Sequence, residues 1–315
     1  MTTLFTRTLA ALLTVGTALT ASAGNTDTLT VRTLNEHNAP IEVVIPKDPK
    51  RVAVLDFAVL DTMAAWELDE RVTAVPKSTA LPWLTKFRDD KRIVNSGTPK
   101  EVNLERLMES EPDVIFVSGR LLKKIPELRR IAPVIYQPTD RDLGSLESTR
   151  RNLLQLGEIF NKTAEAEAAV RDFDARTERI REAAAGRTTV VGMVTSSHLN
   201  LMGSRSKGSL IGDEFGFKNI AVGANSDHGS ESSFELLLKL NPDFIFVIDR
   251  DSAIARPGAR IAKDIMDNPL AAKTKAAREG RLVYLNSAAW YLAEGGLQAT
   301  NLMFKDIESA LGLNH

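Results

Sequence analysis

Three features of this 315-residue sequence predict an α/β fold of two Rossmann-like lobes with parallel sheets, joined by a long backbone helix. One stretch occurs twice: Asn103 to Arg120 and Ser233 to Arg250 both run helix, Pro-Asp turn, apolar strand, arginine. Glu105 pairs with Glu235, Pro112 with Pro242, Asp113 with Asp243 and Arg120 with Arg250, always 130 residues apart. Short β-branched runs alternate with helical patterns, as parallel sheets covered by helices require. Between the two copies lies a stretch rich in Ala, Glu, Arg and Leu and nearly free of Pro and Gly.

The elements follow in order. Met1 to Arg7 is a short basic start, Thr8 to Leu19 an apolar run and Ala21-Ser22-Ala23 a small-residue cleavage site, so residues 1–23 read as an export signal and the mature chain is expected to begin at Gly24. The N-terminal lobe is placed at 24–145. Arg51 to Asp56 reads as a strand, followed by a helix through Trp66, and further strands are expected at Val72 to Val75, Val114 to Val117 and Val134 to Tyr136. Residues 146–186 form the linking helix region, broken near Asn161-Lys162 and stopped by Gly186. A strand from Thr188 to Val194 opens the C-terminal lobe, 187–315. A helical connection is stiffer than paired loops, so closure on a ligand should be small.

Composition excludes several functions. Hydrophobic residues make up 43% and charged residues 26%, which suits a globular chain with a real core. A formal net charge of −1 supplies no basic field for nucleic acid. No later segment is long and apolar enough for membrane insertion. With no cysteine there is no disulfide, thiolate metal site or lipidated cysteine, so an exported, soluble, periplasmic monomer is expected. Each copy of the repeat ends in an arginine just past a buried strand, where open α/β sheets bind ligands. Two facing lobes would present Arg120 and Arg250 to one cleft.

The whole mature chain resembles the helical-backbone class of periplasmic binding proteins, and within it the ferric catecholate siderophore-binding proteins of enterobactin-type uptake. The matching residues are Val114-Ile-Phe-Val-Ser-Gly-Arg120, His228-Gly229, Asn241 to Arg250, Ala271 to Ala277 and Trp290-Tyr-Leu-Ala293. The resemblance implies iron transport: a ferric siderophore taken up as cargo, with no permanent cofactor, and delivered to inner-membrane ABC permease subunits. Arginine suits such a polyanion, because its planar fork bonds catecholate oxygens and stacks on rings. Where the family has a third arginine, Gly203-Ser-Arg-Ser-Lys207 places a lysine, leaving Arg205 and Lys207 as alternatives. A histidine and a tyrosine at the positions of His228 and Tyr291 complete iron coordination in the family members that take tetradentate siderophores. The resemblance also assigns Glu105 and Glu235, expected at the starts of equivalent helices on the outer rim, to docking on permease arginines, with Glu101 and Glu231 as neighbouring substitutes.

Bland readings compete with each assignment: a solvated strand-end arginine, a loop histidine, an aromatic pair in packing, a glutamate complementing a helix dipole. An enzyme is disfavoured. Ser226, Asp227, His228 and Ser230 are triad residue types, but neighbours in sequence rarely face one another, and no nucleophile elbow or phosphate loop accompanies them. Haem or cobalamin capture by the same fold is the alternative.

Overall fold

The computed structural model describes residues 27–78, 81–221 and 230–313. The expected export signal and His228 lie outside the described residues.

Runs of wholly buried, largely apolar residues form the centres of two sheets. An antiparallel hairpin, β1 (Thr28–Leu34) with β2 (Pro40–Pro46), precedes the first. That sheet contains β3 (Val52–Leu55), β4 (Val72–Val75), β5 (Val94–Asn95), β6 (Val114–Val117) and β7 (Val134–Tyr136), in the order β5-β4-β3-β6-β7 and parallel throughout. The second contains β8 (Thr188–Thr195), β9 (His198–Met202), β10 (Lys218–Asn219), β11 (Phe244–Asp249) and β12 (Leu282–Tyr284). Its order is β10-β8-β11-β12, parallel, with β9 antiparallel on β8. Every residue of β3, β6 and β11 is buried, as strands covered on both faces must be. The strand order reverses between β3 and β6 in one sheet and between β8 and β11 in the other, and at such reversals the loops beyond the strand ends part to leave a crevice.

The repeat has a common structural purpose. Asp113 Oδ2 accepts from the backbone amides of Lys50 and Arg51 at 2.9 and 2.8 Å, immediately before β3. Asp243 Oδ2 accepts from the Thr188 amide and hydroxyl at 2.9 and 2.8 Å, at the start of β8. Each aspartate thus fastens the start of the neighbouring parallel strand, and Lys275 and Thr188 hold the Asp243 carboxyl down to about 2. The residues before the two prolines, Glu111 and Asn241, are both left-handed, with φ of 42° and 47°.

Two helices, Ser145–Ile159 and Thr163–Ala184, separate the sheets in sequence, and left-handed Asn161 marks the break between them. The C-terminal helix Leu297–Leu311 adds a second tie, because its N-terminal amides are capped from the first helix, Phe57–Ala65. Asp61 accepts from the amides of Gln298 at 2.7 Å and Ala299 at 3.1 Å, and Thr62 Oγ1 from that of Leu297 at 3.1 Å. Gly296 permits this approach, since a Cβ there would sit 2.5 Å from Asp61 Oδ2. Arg176 and Glu308, paired through two bonds of 2.9 and 2.8 Å, join the longer linking helix to the same C-terminal helix. The C-terminal helix is thus tied both to the first helix and to the longer linking helix.

Candidate functional site

The end of β3 leads to Asp56, which caps the following helix by accepting from the Ala58 amide at 2.7 Å. The end of β6 leads through Ser118 and Gly119 to Arg120, in a short 3-10 turn. Gly119 leaves space for an aromatic: a Cβ there would lie 3.1 Å from the Tyr136 hydroxyl at the end of β7. On the facing lobe, β11 leads directly to Arg250, and the helix Ser287–Tyr291 ends at Tyr291.

These strand ends enclose a cleft of about 230 Å³ walled by both lobes, with Asp56, Arg120, Tyr136 and Arg141 on one side and Lys207, Tyr291 and Glu294 on the other. It adjoins a larger hollow of about 910 Å³ through shared residues from Tyr136 to Thr139, with Arg32 and Arg151 on that hollow's outer wall.

Arg120, Lys207 and Tyr291 line the cleft. Arg250 reaches it through Tyr291, donating from Nε to the phenol oxygen at 2.9 Å with its guanidinium 5.7 Å from the ring centroid. Asp251, 1% exposed, holds the far side of that guanidinium at 3.2 Å. Of the two alternatives for the third cation, Lys207 stands in the cleft with its ammonium 5.8 Å from the Tyr291 ring centroid. Arg205, left-handed at φ 58°, points outward, 73% exposed, and pairs with Asp142. His228 lies outside the described residues.

Glu105 and Glu235 are both exposed and form no ion pair among the described residues. Glu105 occupies a first helical turn as expected, after the Asn103 cap, whose Oδ1 accepts from the Arg106 amide at 3.0 Å. Glu235 does not. Its helix already begins at Ser230, so Glu235 sits mid-helix and Ser233, the counterpart of Asn103, is a buried interior residue instead of a cap.

Sequence reasoning passed over Arg141, Glu294, Asp56 and Tyr136. Arg141 lies five residues past a strand, so the strand-end argument that found Arg120 would have reached it. Nothing in the sequence marks Glu294. Its side chain is only 4% exposed, and its Oε2 accepts from Lys207 Nζ at 2.5 Å and Arg141 Nη2 at 2.8 Å. Burial alone would raise the Glu294 carboxyl, but Lys207 and Arg141 hold it below the usual carboxylate range. Asp56 shows the opposite balance: burial raises it, and the Ala58 and Val59 amides, with the Arg120 and Lys207 charges, only partly offset that.

A cleft lined by Arg120, Arg141 and Lys207 at the reversal points of two sheets lies where open α/β folds hold small ligands. The chain belongs to the periplasmic binding protein family, whose model matches residues 52–289. It is 33% identical over 273 residues to the petrobactin-binding protein YclQ of Bacillus subtilis (strain 168), covering 85% of this chain and 84% of that protein. The crystal structure of YclQ superposes with a TM-score of 0.80 at 30% identity, over 90% of this chain and 99% of that one. The ferric-anguibactin-binding protein FatB of Vibrio anguillarum is 27% identical over 278 residues, covering 86% and 85% of the two chains. The periplasmic catecholate-siderophore binding protein VctP of Vibrio cholerae gives a TM-score of 0.80 at 27% identity, over 89% of this chain and all of that one. These relatives are binding proteins, in agreement with the expectation that the chain is not an enzyme. Among the described residues no helix is long and apolar enough to cross a membrane.

Proposed function

We propose that this protein captures a ferric catecholate siderophore, tetradentate catecholates included, in the cleft between its lobes and hands it to an inner-membrane ABC importer. The observation that carries the reading is the convergence of Arg120, Lys207 and Tyr291 on one cleft, with Arg250 bonded to the tyrosine. The guanidinium of Arg120 supplies a charged fork for catecholate oxygens, and ferric iron favours a hard oxygen donor such as the Tyr291 phenolate. Arg250 then stays beside that oxygen to balance its charge. The adjoining hollow gives the chelate's backbone somewhere to lie. Relatives named for petrobactin, ferric anguibactin and catecholate siderophores support the ligand class.

In this reading residues 1–23 are removed on export, and the protein works as a periplasmic monomer with lobes 24–145 and 187–315 joined by 146–186. His228 is the second iron donor, and Glu105 and Glu235 meet the permease.

Titration of Trp fluorescence tests the reading. Trp290 adjoins Tyr291 and is 1% exposed, so a bound ferric chromophore quenches it. The panel contains ferric catecholates, a ferric hydroxamate, haem and cobalamin. Saturable quenching by ferric catecholates at micromolar concentration or below is expected; saturation by haem or cobalamin alone would replace this reading with the alternative.

A further inference from the structure

Lys207 and Arg141 are cleft cations that are already occupied. Glu294 receives both on one oxygen, at 2.5 and 2.8 Å, while its other oxygen accepts from the Ser145 hydroxyl at 3.2 Å. Arg141 is further fixed by the Ser206 carbonyl at 2.7 Å. Glu294 is removed from water and held by three donors, so an arriving anion competes with a built-in carboxylate for both cations. Three cations and two carboxylates line the cleft, leaving only a small positive excess for a ligand. Arg120 is the lining cation that forms no ion pair among the described residues, although its charge acts on the Asp56 carboxyl.

We infer that Glu294 determines the charge of the ferric chelate the cleft accepts, favouring complexes of low negative charge over the trianion of a hexadentate tris-catechol. The inference rests on the ferric siderophore reading above. A tetradentate bis-catechol with a neutral linker forms a ferric monoanion; its hexadentate counterpart forms a trianion. The buried carboxylate repels the trianion about three times as strongly, because Coulomb energy scales with ligand charge. Lys207 Nζ stands close to the Tyr291 ring, so the charge that Glu294 cancels lies within reach of any chelate seated on that tyrosine.

The test compares equilibrium affinities of the wild type, Glu294→Gln, Lys207→Gln and the double variant for these two chelates. The quantity read is the ratio of hexadentate to tetradentate affinity. Glu294→Gln should raise that ratio about tenfold or more, Lys207→Gln should lower it, and the double variant, with one charge of each sign removed, should return it to within about threefold of wild type. Should Glu294→Gln fail to fold, Lys207→Gln and the double variant decide the matter: a lowered ratio restored by the second change supports the role of Glu294, and an unchanged ratio in both overturns it. An unchanged ratio in folded Glu294→Gln also overturns it. If the wild type binds neither chelate, the siderophore reading itself fails, which these outcomes distinguish from a failure confined to Glu294.

Discussion

Arg250 donates from its Nε to the Tyr291 hydroxyl at 2.9 Å, which ties the strand-end cation of the second lobe to the aromatic wall of the cleft. The repeat predicts two equivalent arginines, yet they are placed differently. Arg120 lines the cleft, and Arg250 stands behind the tyrosine that lines it.

That pairing bears on denticity. Protein donors fill only vacant iron positions, so Tyr291→Phe should weaken a tetradentate ferric siderophore much more than a hexadentate one and shift its charge-transfer band. Identical spectra and affinities in wild type and variant would remove Tyr291 from the iron.

Arg120→Ala and Arg250→Ala should each cost about 1.5 to 3 kcal/mol of ferric catecholate binding, as loss of a charged hydrogen bond does. A neutral ferric hydroxamate should bind poorly to all forms. Calorimetric titration decides, and wild-type affinity in either variant excludes that arginine.

Glu105 and Glu235 stand exposed on the two lobes without ion-pair partners among the described residues. The double change Glu105→Arg and Glu235→Arg should leave siderophore affinity intact while abolishing iron uptake by cells, with either single change milder, since rim charges mainly govern orientation and association rate. Normal uptake in the double variant would place docking elsewhere.

Stability should carry a pH signature from Asp61. This carboxyl is 0% exposed, and burial raises it to about 6 although Trp83, Ala299 and Gln298 donate to it. A folded-state value above the unfolded one means that the folded chain binds the extra proton, so stability from this group is full below the unfolded value near 3.8 and falls as pH rises to about 6. The wild type should therefore lose up to about 3 kcal/mol across that window. Asp61→Asn should lack this component, which chemical denaturation at pH 4, 5, 6 and 7 reads as a change in the stability difference between the two proteins. A difference that stays constant with pH would contradict the assignment.

Much of the first sheet was readable because its strands are short, mostly apolar and bounded by turns. Val72–Val75, Val114–Val117 and Val134–Tyr136 fall at their expected limits. The hairpin β1-β2 and the antiparallel strand β9 were missed, since half-exposed strands with mixed polar residues lack that signature. At the site, residues that follow strands were found by position alone. The inward choice of Lys207 over Arg205 depends on a loop whose left-handed turn at Arg205 sends one side chain out and leaves the next basic residue in the cleft, and Glu294 meets that lysine from 87 residues further along the chain. Spacing does not encode that turn.

The most direct test of the account is to locate the iron. A crystal of the protein saturated with a ferric bis-catecholate, measured at the iron absorption edge, should show one anomalous peak in the interlobe cleft within bonding distance of the Tyr291 oxygen, with catecholate oxygens on Arg120. An empty cleft in crystals that retain the ferric chelate, or an iron peak outside it, would contradict the account.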